Sequence, residues 1–198
     1  MSTDPSSGAP SRGDEPSSAE RWVAGVSGSL AMALVGTVFS VYVYGSVQPD
    51  EHEVSASVEV PVSVDEAYAL LSDLEARPSW RPRVDRIGRI HDDGEGRQVW
   101  RELDHGGDRF DLKVMALTPP HEVVFATASP EQIGYDAVWT WHLRATDTGS
   151  LVTLTEVGEI DNPLWRGIFY LRSGPEETVL SELQLLSTRF GGGEPFTP

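Results

Sequence analysis

Large aromatic side chains recur on one face of a predicted strand near the middle of the chain. Trp139, Trp141 and Leu143 occupy alternate positions, so their side chains point to the same side of that strand. Together with apolar residues of other predicted elements, they can line a pocket or fill a solid core. The pocket candidates are Phe110, Leu112, Val114, Trp139, Trp141, Leu143, Glu156, Leu183 and Leu186.

Glu156 is the one carboxylate among these candidates. It falls in phase with Val152 and Leu154, which places it on the inner face of the last predicted strand. A buried carboxylate needs a partner or a raised pKa, so it can orient a ligand or act as a base. Two other interpretations are a bulge that turns Glu156 to solvent and a structural pair with Arg101.

Arginines cluster shortly after the first predicted helix of the domain. Their spacing predicts a basic patch within an acidic domain, suited to phospholipid headgroups or to an anionic ligand at the pocket mouth. The alternative is a set of solvated arginines balanced by acids on neighbouring strands. The candidates for headgroup or anion contact are Arg77, Arg81, Arg83, Arg86 and Arg89.

Several kinds of chemistry lack support in the sequence. The chain has no cysteine, and its five histidines are scattered rather than set at metal-ligand spacing, so we expect neither a metal site nor a catalytic triad. We find no phosphate-binding glycine loop and predict no cofactor. The net charge of −16 argues against nucleic acid as a partner. This acidic composition, with Lys113 as the sole lysine, resembles that of proteins from salt-loving microbes or from GC-rich genomes.

The elements that position these residues follow a simple order. Alternation over 54–60 predicts a strand, and Ser63 with Glu66 forms a capping box for a helix that ends before Pro78. Helical spacing returns after Pro163 and again from Pro175 to Phe190. Between the first helix and Pro163, turn residues separate six predicted strands of an antiparallel meander, at 84–91, 98–103, 109–117, 123–128, 137–144 and 151–157.

The N-terminal quarter has a different character. Residues 1–20 predict a disordered tail, and residues 21–47 predict a transmembrane helix, since no charged residue lies between Trp22 and Val47. Arg12 and Arg21 precede the span, so the positive-inside rule predicts a cytoplasmic N-terminus and an extracytoplasmic domain. Residues 48–52 are read as a linker, 53–190 as the domain and 191–198 as a C-terminal tail.

Small residues recur every four positions within the predicted span. They give one helix face a groove that suits self-association or contact with another membrane subunit. The predicted pairing face consists of Gly25, Ser29, Ala33 and Thr37.

The domain resembles the START-like, helix-grip superfamily, particularly its polyketide cyclase/dehydrase-type branch. The resemblance rests on the run from Pro61 to Pro82, PVSVDEAYALLSDLEARPSWRP, and on the order of the turns at 93–96, 117–120 and 149. It implies an α+β fold in which a curved antiparallel sheet wraps round a long C-terminal helix. The cavity between them takes a lipid, sterol, polyketide or other hydrophobic molecule.

We therefore expect a membrane-anchored protein that binds or transfers a hydrophobic small molecule such as a lipid, isoprenoid or polyketide. An accessory subunit of a membrane complex is the second hypothesis. An enzyme of the cyclase or dehydratase type is the third, because no residue set matches a catalytic signature of the superfamily.

Overall fold

The computed structural model describes residues 18–197, with side chains described from Met32 onward. By its contacts the chain divides into two units, Met1–Ser40 and Val41–Pro198. Helix α1, Ser18–Ser46, starts before residue 21, because Ala19 has a high helix propensity and the acidic Glu20 suits a helix N-terminus. The rest of the predicted tail, residues 1–17, lies outside the described residues.

The predicted membrane span, residues 21–47, also lies partly outside the described side chains, because those of residues 21–31 are not described. Across the part of the chain that the structure describes, no helix has both the length and the apolar character needed to cross a membrane. Of the predicted pairing face, Gly25 and Ser29 fall among the side chains left undescribed. Ala33 and Thr37 are exposed on α1, and the Thr37 hydroxyl donates to the Ala33 carbonyl oxygen.

The second unit begins with the last turn of α1 and continues into strand β1, Glu51–Val60. This strand starts earlier than predicted because Glu51 and His52 pair with Glu159 and Gly158 of the last strand. Helix α2, Val64–Ser72, has the predicted cap, since the Ser63 hydroxyl accepts a hydrogen bond from the Glu66 backbone N–H. A 3₁₀ helix, Leu74–Ser79, then continues through Pro78.

The predicted meander is confirmed. Its strands are β2 Val84–Asp92, β3 Gln98–Asp104, β4 Arg109–Thr118, β5 Glu122–Thr127, β6 Asp136–Thr146 and β7 Gly149–Glu159. From β2 to β7 each strand pairs antiparallel with the next, and β1 completes the seven-stranded sheet by pairing with β7, in the order β1-β7-β6-β5-β4-β3-β2. A short helix α3, Pro130–Ile133, which the sequence pattern did not predict, lies between β5 and β6.

Two helices complete the fold, α4 at Pro163–Arg172 and the long α5 at Gly174–Phe190. Val179, Leu183 and Leu186 of α5 are fully buried in one core with β1, α2 and the inner face of the sheet. The arrangement is the α+β helix-grip fold of START-like proteins: an antiparallel sheet with a long C-terminal helix packed against it.

The C-terminal segment is part of the fold rather than a free tail. After Gly191, whose positive φ of 72° ends α5, the chain turns back along β1. The backbones of Ser57 and Phe196 exchange two hydrogen bonds, and the Gly193 N–H donates to the Glu59 carbonyl oxygen. Residues 191–196 therefore belong to the domain, whose predicted end at residue 190 was too early.

Candidate ligand-binding cavity

A cavity of about 340 Å³ opens within the second unit. This volume lies at the lower end of the range of ligand pockets, roughly 300–1,000 Å³. Its walls come from α2, the 3₁₀ helix and the segment after it, strands β2 to β7, and α5. It is lined by Leu71, Arg77, Trp80, Arg81, Arg83, Val84, Glu102, Leu103, Asp104, Asp108, Arg109, Phe110, Leu112, Phe125, Tyr135, Trp139, Trp141, Leu154, Thr178, Glu182 and Leu185.

The sheet supplies an aromatic wall. Trp139 and Trp141 occupy alternate positions on β6, and Val138 and His142 are exposed on its other face, so both rings point inward. Phe125 of the adjacent β5 lies opposite Trp139. The rings of Phe110 and Trp139 meet edge to face, with centroids 5.8 Å apart. An aromatic wall of this kind favours an apolar or ring-containing ligand.

Opposite charges meet on another part of the lining, in a set that we call the ionic cluster: Arg77, Arg81, Glu102 and Glu182. Glu102 accepts hydrogen bonds from both arginines, at 3.0 Å from Arg81 Nη1, and Arg81 Nη2 lies 2.7 Å from Glu182 Oε1. The 3₁₀ helix, β3 and α5 each contribute to the cluster. Two cations and two carboxylates balance one another, so the cluster presents polar groups without a net charge.

Arg77 is the most deeply buried cation of the cluster, with 8% of its surface exposed. Its guanidinium carbon lies 4.6 Å from the centroid of the Phe125 ring, a cation–π contact. Burial lowers the pKa of Arg77, assisted by the charge of Arg81 and opposed by Glu102. For Arg81, burial also acts to lower the pKa, but Glu182 and Glu102 outweigh it and the pKa is raised.

Glu156 lies behind the aromatic wall rather than in the lining. It is 1% exposed, and its carboxylate accepts three hydrogen bonds. Oε1 lies 2.6 Å from the Tyr135 hydroxyl and 3.0 Å from His52 Nε2, while Oε2 lies 2.7 Å from Trp139 Nε1. Burial first, and then the neighbouring Glu156 carboxylate, raise the pKa of Tyr135, which keeps the phenol protonated as a donor.

Glu156 therefore touches the cavity only through Tyr135 and Trp139, both of which line it. The carboxylate fixes the orientation of two wall residues by holding their polar edges, while their rings border the cavity. The suggested partner Arg101 is wrong, because its guanidinium binds Asp111 with two hydrogen bonds of 2.7 and 2.6 Å. The suggested bulge is absent too, since Glu156 stays in register opposite Val54 and Trp139.

Of the pocket candidates, the structure brings Phe110, Leu112, Trp139 and Trp141 to the cavity wall. Leu143, Leu183 and Leu186 are buried in the core, and Val114 packs against its edge. On α5 the cavity is bordered by Thr178, Glu182 and Leu185, a neighbouring stripe at helical spacing. The periodicity of α5 predicted its core stripe and not the one beside it.

The arginine patch divides in two. Arg77, Arg81 and Arg83 line the cavity, whereas Arg86 and Arg89 are exposed on β2, where they pair with Asp85 and Asp92. Arg77 and Arg81 have their partners Glu102 and Glu182 far along the chain. Contact of the arginines with headgroups or with an anionic ligand at the pocket mouth stays a prediction. Within the described residues, no group of three or more histidines and carboxylates is arranged to hold a metal ion.

Known proteins match this chain in sequence family and in fold. A family model described as polyketide cyclase / dehydrase and lipid transport matches residues 51–181. A START superfamily protein from Mycobacterium smegmatis has a similar fold, with a TM-score of 0.54 and 18% identity over 71% of this chain and 97% of that chain. No curated protein is similar enough to this chain to count as a match.

Two further solved structures share the fold. A protein from Thermus thermophilus has a TM-score of 0.54 and 21% identity, over 70% of this chain and 97% of that chain. Norcoclaurine synthase from Thalictrum flavum has a TM-score of 0.54 and 14% identity, over 73% of this chain and 96% of that chain. At these identities the likeness extends to the fold alone.

Proposed function

We propose that this protein binds and carries a hydrophobic small molecule in the cavity. The chain belongs to the polyketide cyclase / dehydrase and lipid transport family. The observation that carries the proposal is the lining itself. Most of the wall is aromatic or aliphatic, and four of its charged side chains join in the ionic cluster. The other charged residues of the lining are Arg83, Asp104, Asp108 and Arg109. Pockets that bind small molecules combine an apolar surface with a few placed polar groups in this way.

The lining also favours a class of ligand. The aromatic wall suits an apolar body such as an isoprenoid, acyl or polyketide skeleton. The ionic cluster offers guanidinium donors and carboxylate acceptors to a hydroxyl, carbonyl or acidic group at one end of that body. Because the cluster is balanced, we expect a ligand with one polar end rather than a highly charged molecule.

Native mass spectrometry of the full chain after mild extraction tests this proposal. We expect an apolar molecule to co-purify with the protein. Leu185→Trp adds bulk to a side chain that lines the cavity and should reduce the ligand-bound fraction. Leu180→Trp adds the same bulk on the same helix, at a residue that packs against the core outside the lining, and should retain the ligand.

Repeated recovery of the wild-type chain without any apolar molecule would contradict the proposal. Equal loss of ligand in two variants that both keep the circular dichroism spectrum of the wild type would also contradict it, because ligand binding would then not depend on the cavity lining.

The second element of the proposal is attachment to a membrane through α1, with the N-terminus cytoplasmic and the domain extracytoplasmic. It is supported by the absence of charge between Trp22 and Val47 and by the exposed apolar side chains of Met32, Leu34 and Phe39. A bilayer is also where an apolar ligand is most concentrated. A reporter fused after Pro198 tests the orientation, and strong activity of a reporter that works only in the cytoplasm would reverse it.

A further inference from the structure

Helix α4 has two faces of different character. Arg166 and Gly167 are buried, whereas Trp165, Ile168 and Leu171 are 57%, 37% and 59% exposed. These three exposed residues recur at intervals of three, so they lie along one side of the helix. An exposed row of large apolar residues on a short helix marks a surface that contacts something apolar.

The buried face of α4 is fixed to the last turn of α1, residues 41–46, within the same unit. The Arg166 guanidinium donates to the Gly45 carbonyl oxygen at 2.7 Å and to the Ile160 carbonyl oxygen at 3.0 Å. The backbones approach so closely that a Cβ on Gly45 would meet the Pro163 carbonyl oxygen, and one on Gly167 would meet that of Val41. The exposed row of α4 is therefore held at a set position relative to the end of α1.

More apolar surface lies exposed at this end of α1. Tyr42, Val43, Tyr44 and Val47 are between 38% and 75% exposed. Tyrosine and tryptophan are enriched at the level of lipid headgroups, because their rings are apolar and their tips polar. The chain that leads into this segment, residues 22–40, carries no charged side chain.

We propose that the exposed face of α4, formed by Trp165, Ile168 and Leu171, lies in the surface of a lipid bilayer and seats the domain against it. The proposal rests on membrane attachment through α1, as proposed above. A bilayer is favoured over a protein partner because the end of α1 that α4 contacts, residues 41–46, belongs to a stretch of the sequence, Trp22 to Val47, that has bilayer length and no charged residue. Arg172 follows the row on the same side and places a cation at headgroup level.

The charge around α4 indicates the type of lipid. Asp50, Glu51, Glu159 and Asp161 gather before its N-terminus, and the pKa of Glu159 is raised chiefly by repulsion from Asp161. Such a surface repels anionic headgroups. Phosphatidylcholine should therefore suffice for contact, without help from anionic lipid.

Helix α4 also reaches the cavity wall through Phe169. Its ring lies 5.9 Å from the rings of both His52 and Tyr135, and Tyr135 lines the cavity. A single helix thus joins the proposed lipid surface to the cavity. This position suits the entry of an apolar ligand from the bilayer.

The absence of cysteine from the chain makes site-specific labelling direct. Trp165→Cys and Leu171→Cys each carry a nitroxide in the full chain, reconstituted in phosphatidylcholine vesicles. Thr188→Cys, on an exposed position of α5, is the matched control. We expect the labels at 165 and 171 to collide more with oxygen than with a water-soluble nickel complex, and the label at 188 to show the reverse.

Nickel accessibility at 165 and 171 equal to that at 188 would overturn the proposal, as would failure of the full chain to float with the vesicles. Strong dipolar coupling between labels at 165 of two chains would overturn it too, because a second copy would then cover the face. Ligand recovery by native mass spectrometry is measured separately. Labels immersed in lipid on a protein without a ligand would refute the cavity function alone. A bound ligand together with labels exposed to water would refute this surface alone.

Discussion

Trp139 and Glu156 lie directly opposite each other on β6 and β7, and the indole N–H of Trp139 donates to the Glu156 carboxylate at 2.7 Å. The tryptophan therefore presents its ring to the cavity while its polar edge binds a fully buried charge. Tyr135 repeats the relationship from the loop before β6. The shape of the aromatic wall thus depends on a carboxylate that lies outside the cavity lining.

Glu156→Gln should destabilise the fold by roughly 2–4 kcal/mol, because a neutral amide replaces a carboxylate that accepts hydrogen bonds from three donors. One side of the amide would also set a donor against a donor. Urea unfolding followed by tryptophan fluorescence measures the loss. Glu159→Gln, an exposed change on the same strand, is the control and should leave the stability unchanged or raise it slightly, because it relieves repulsion from Asp161. Equal effects from the two variants would show that Glu156 does not hold the wall.

The stability of the wild type should fall as the pH rises above about 10, the ordinary pKa of tyrosine. Tyr135 has a raised pKa in the folded protein, so its protonated form stabilises the fold below pH 10, and this contribution is lost as the pH rises towards the folded value. The expected slope for one such group is about 1.4 kcal/mol per pH unit. Tyr135→Phe should show a shallower decline in urea unfolding between pH 9 and 11. Identical slopes would place the phenol in solvent.

The ionic cluster should behave as a coupled unit. Glu102→Leu leaves the buried Arg77 guanidinium without its partner and should cost roughly 3–5 kcal/mol. The double variant Arg77→Met with Glu102→Leu removes both charges and should recover much of that loss, while Arg81 keeps Glu182. Chemical denaturation of Glu102→Leu, Arg77→Met and the double variant measures the coupling, with Asp92→Leu at the exposed Arg89 pair as control. Additive effects at Arg77 and Glu102 would contradict it.

Gly45→Ala should separate α1 from α4, because the new methyl group would collide with the Pro163 and Gly167 backbones. We expect a loss of about 1–3 kcal/mol, as for other overpacked sites. Gly36→Ala on the same helix meets nothing within 4 Å and should be neutral or slightly stabilising, since alanine favours helices. Thermal unfolding of the two full chains makes the comparison. A tolerated Gly45→Ala would mean that the two helices are loosely joined.

Local pattern predicts much of this fold. The alternation of apolar residues and the turn residues gave the strands of the meander nearly at their observed ends, because each strand buries one face. The capping box at Ser63 and the stop at Gly191 work in the same way, through contacts within a few residues. Pairing of β1 with β7 needs contacts across the whole domain and has no local signal in either strand.

The candidate site was predicted less fully. The inward direction of Trp139 and Trp141 was predictable, because alternate residues of a strand point to the same face of the sheet. The burial of Arg77 depends on its ion pair with Glu102 of β3. Glu102 is distant in sequence, so the residues around Arg77 give no local signal of the pair. Tyr135 follows a short helix and a glycine with a positive φ of 68°, so no periodicity marks its direction. His52 reaches Glu156 only because β1 extends further than its apolar alternation.

The return of the chain end along β1 has a consequence for association between molecules. β1 is an edge strand of the sheet, and such an edge can accept a strand from another chain. Phe196 and Gly193 already occupy the hydrogen-bonding positions of Ser57 and Glu59. A chain shortened after Gly191 would leave those groups of β1 open to strand addition. By covering them, residues 192–196 protect this edge of the sheet against aggregation.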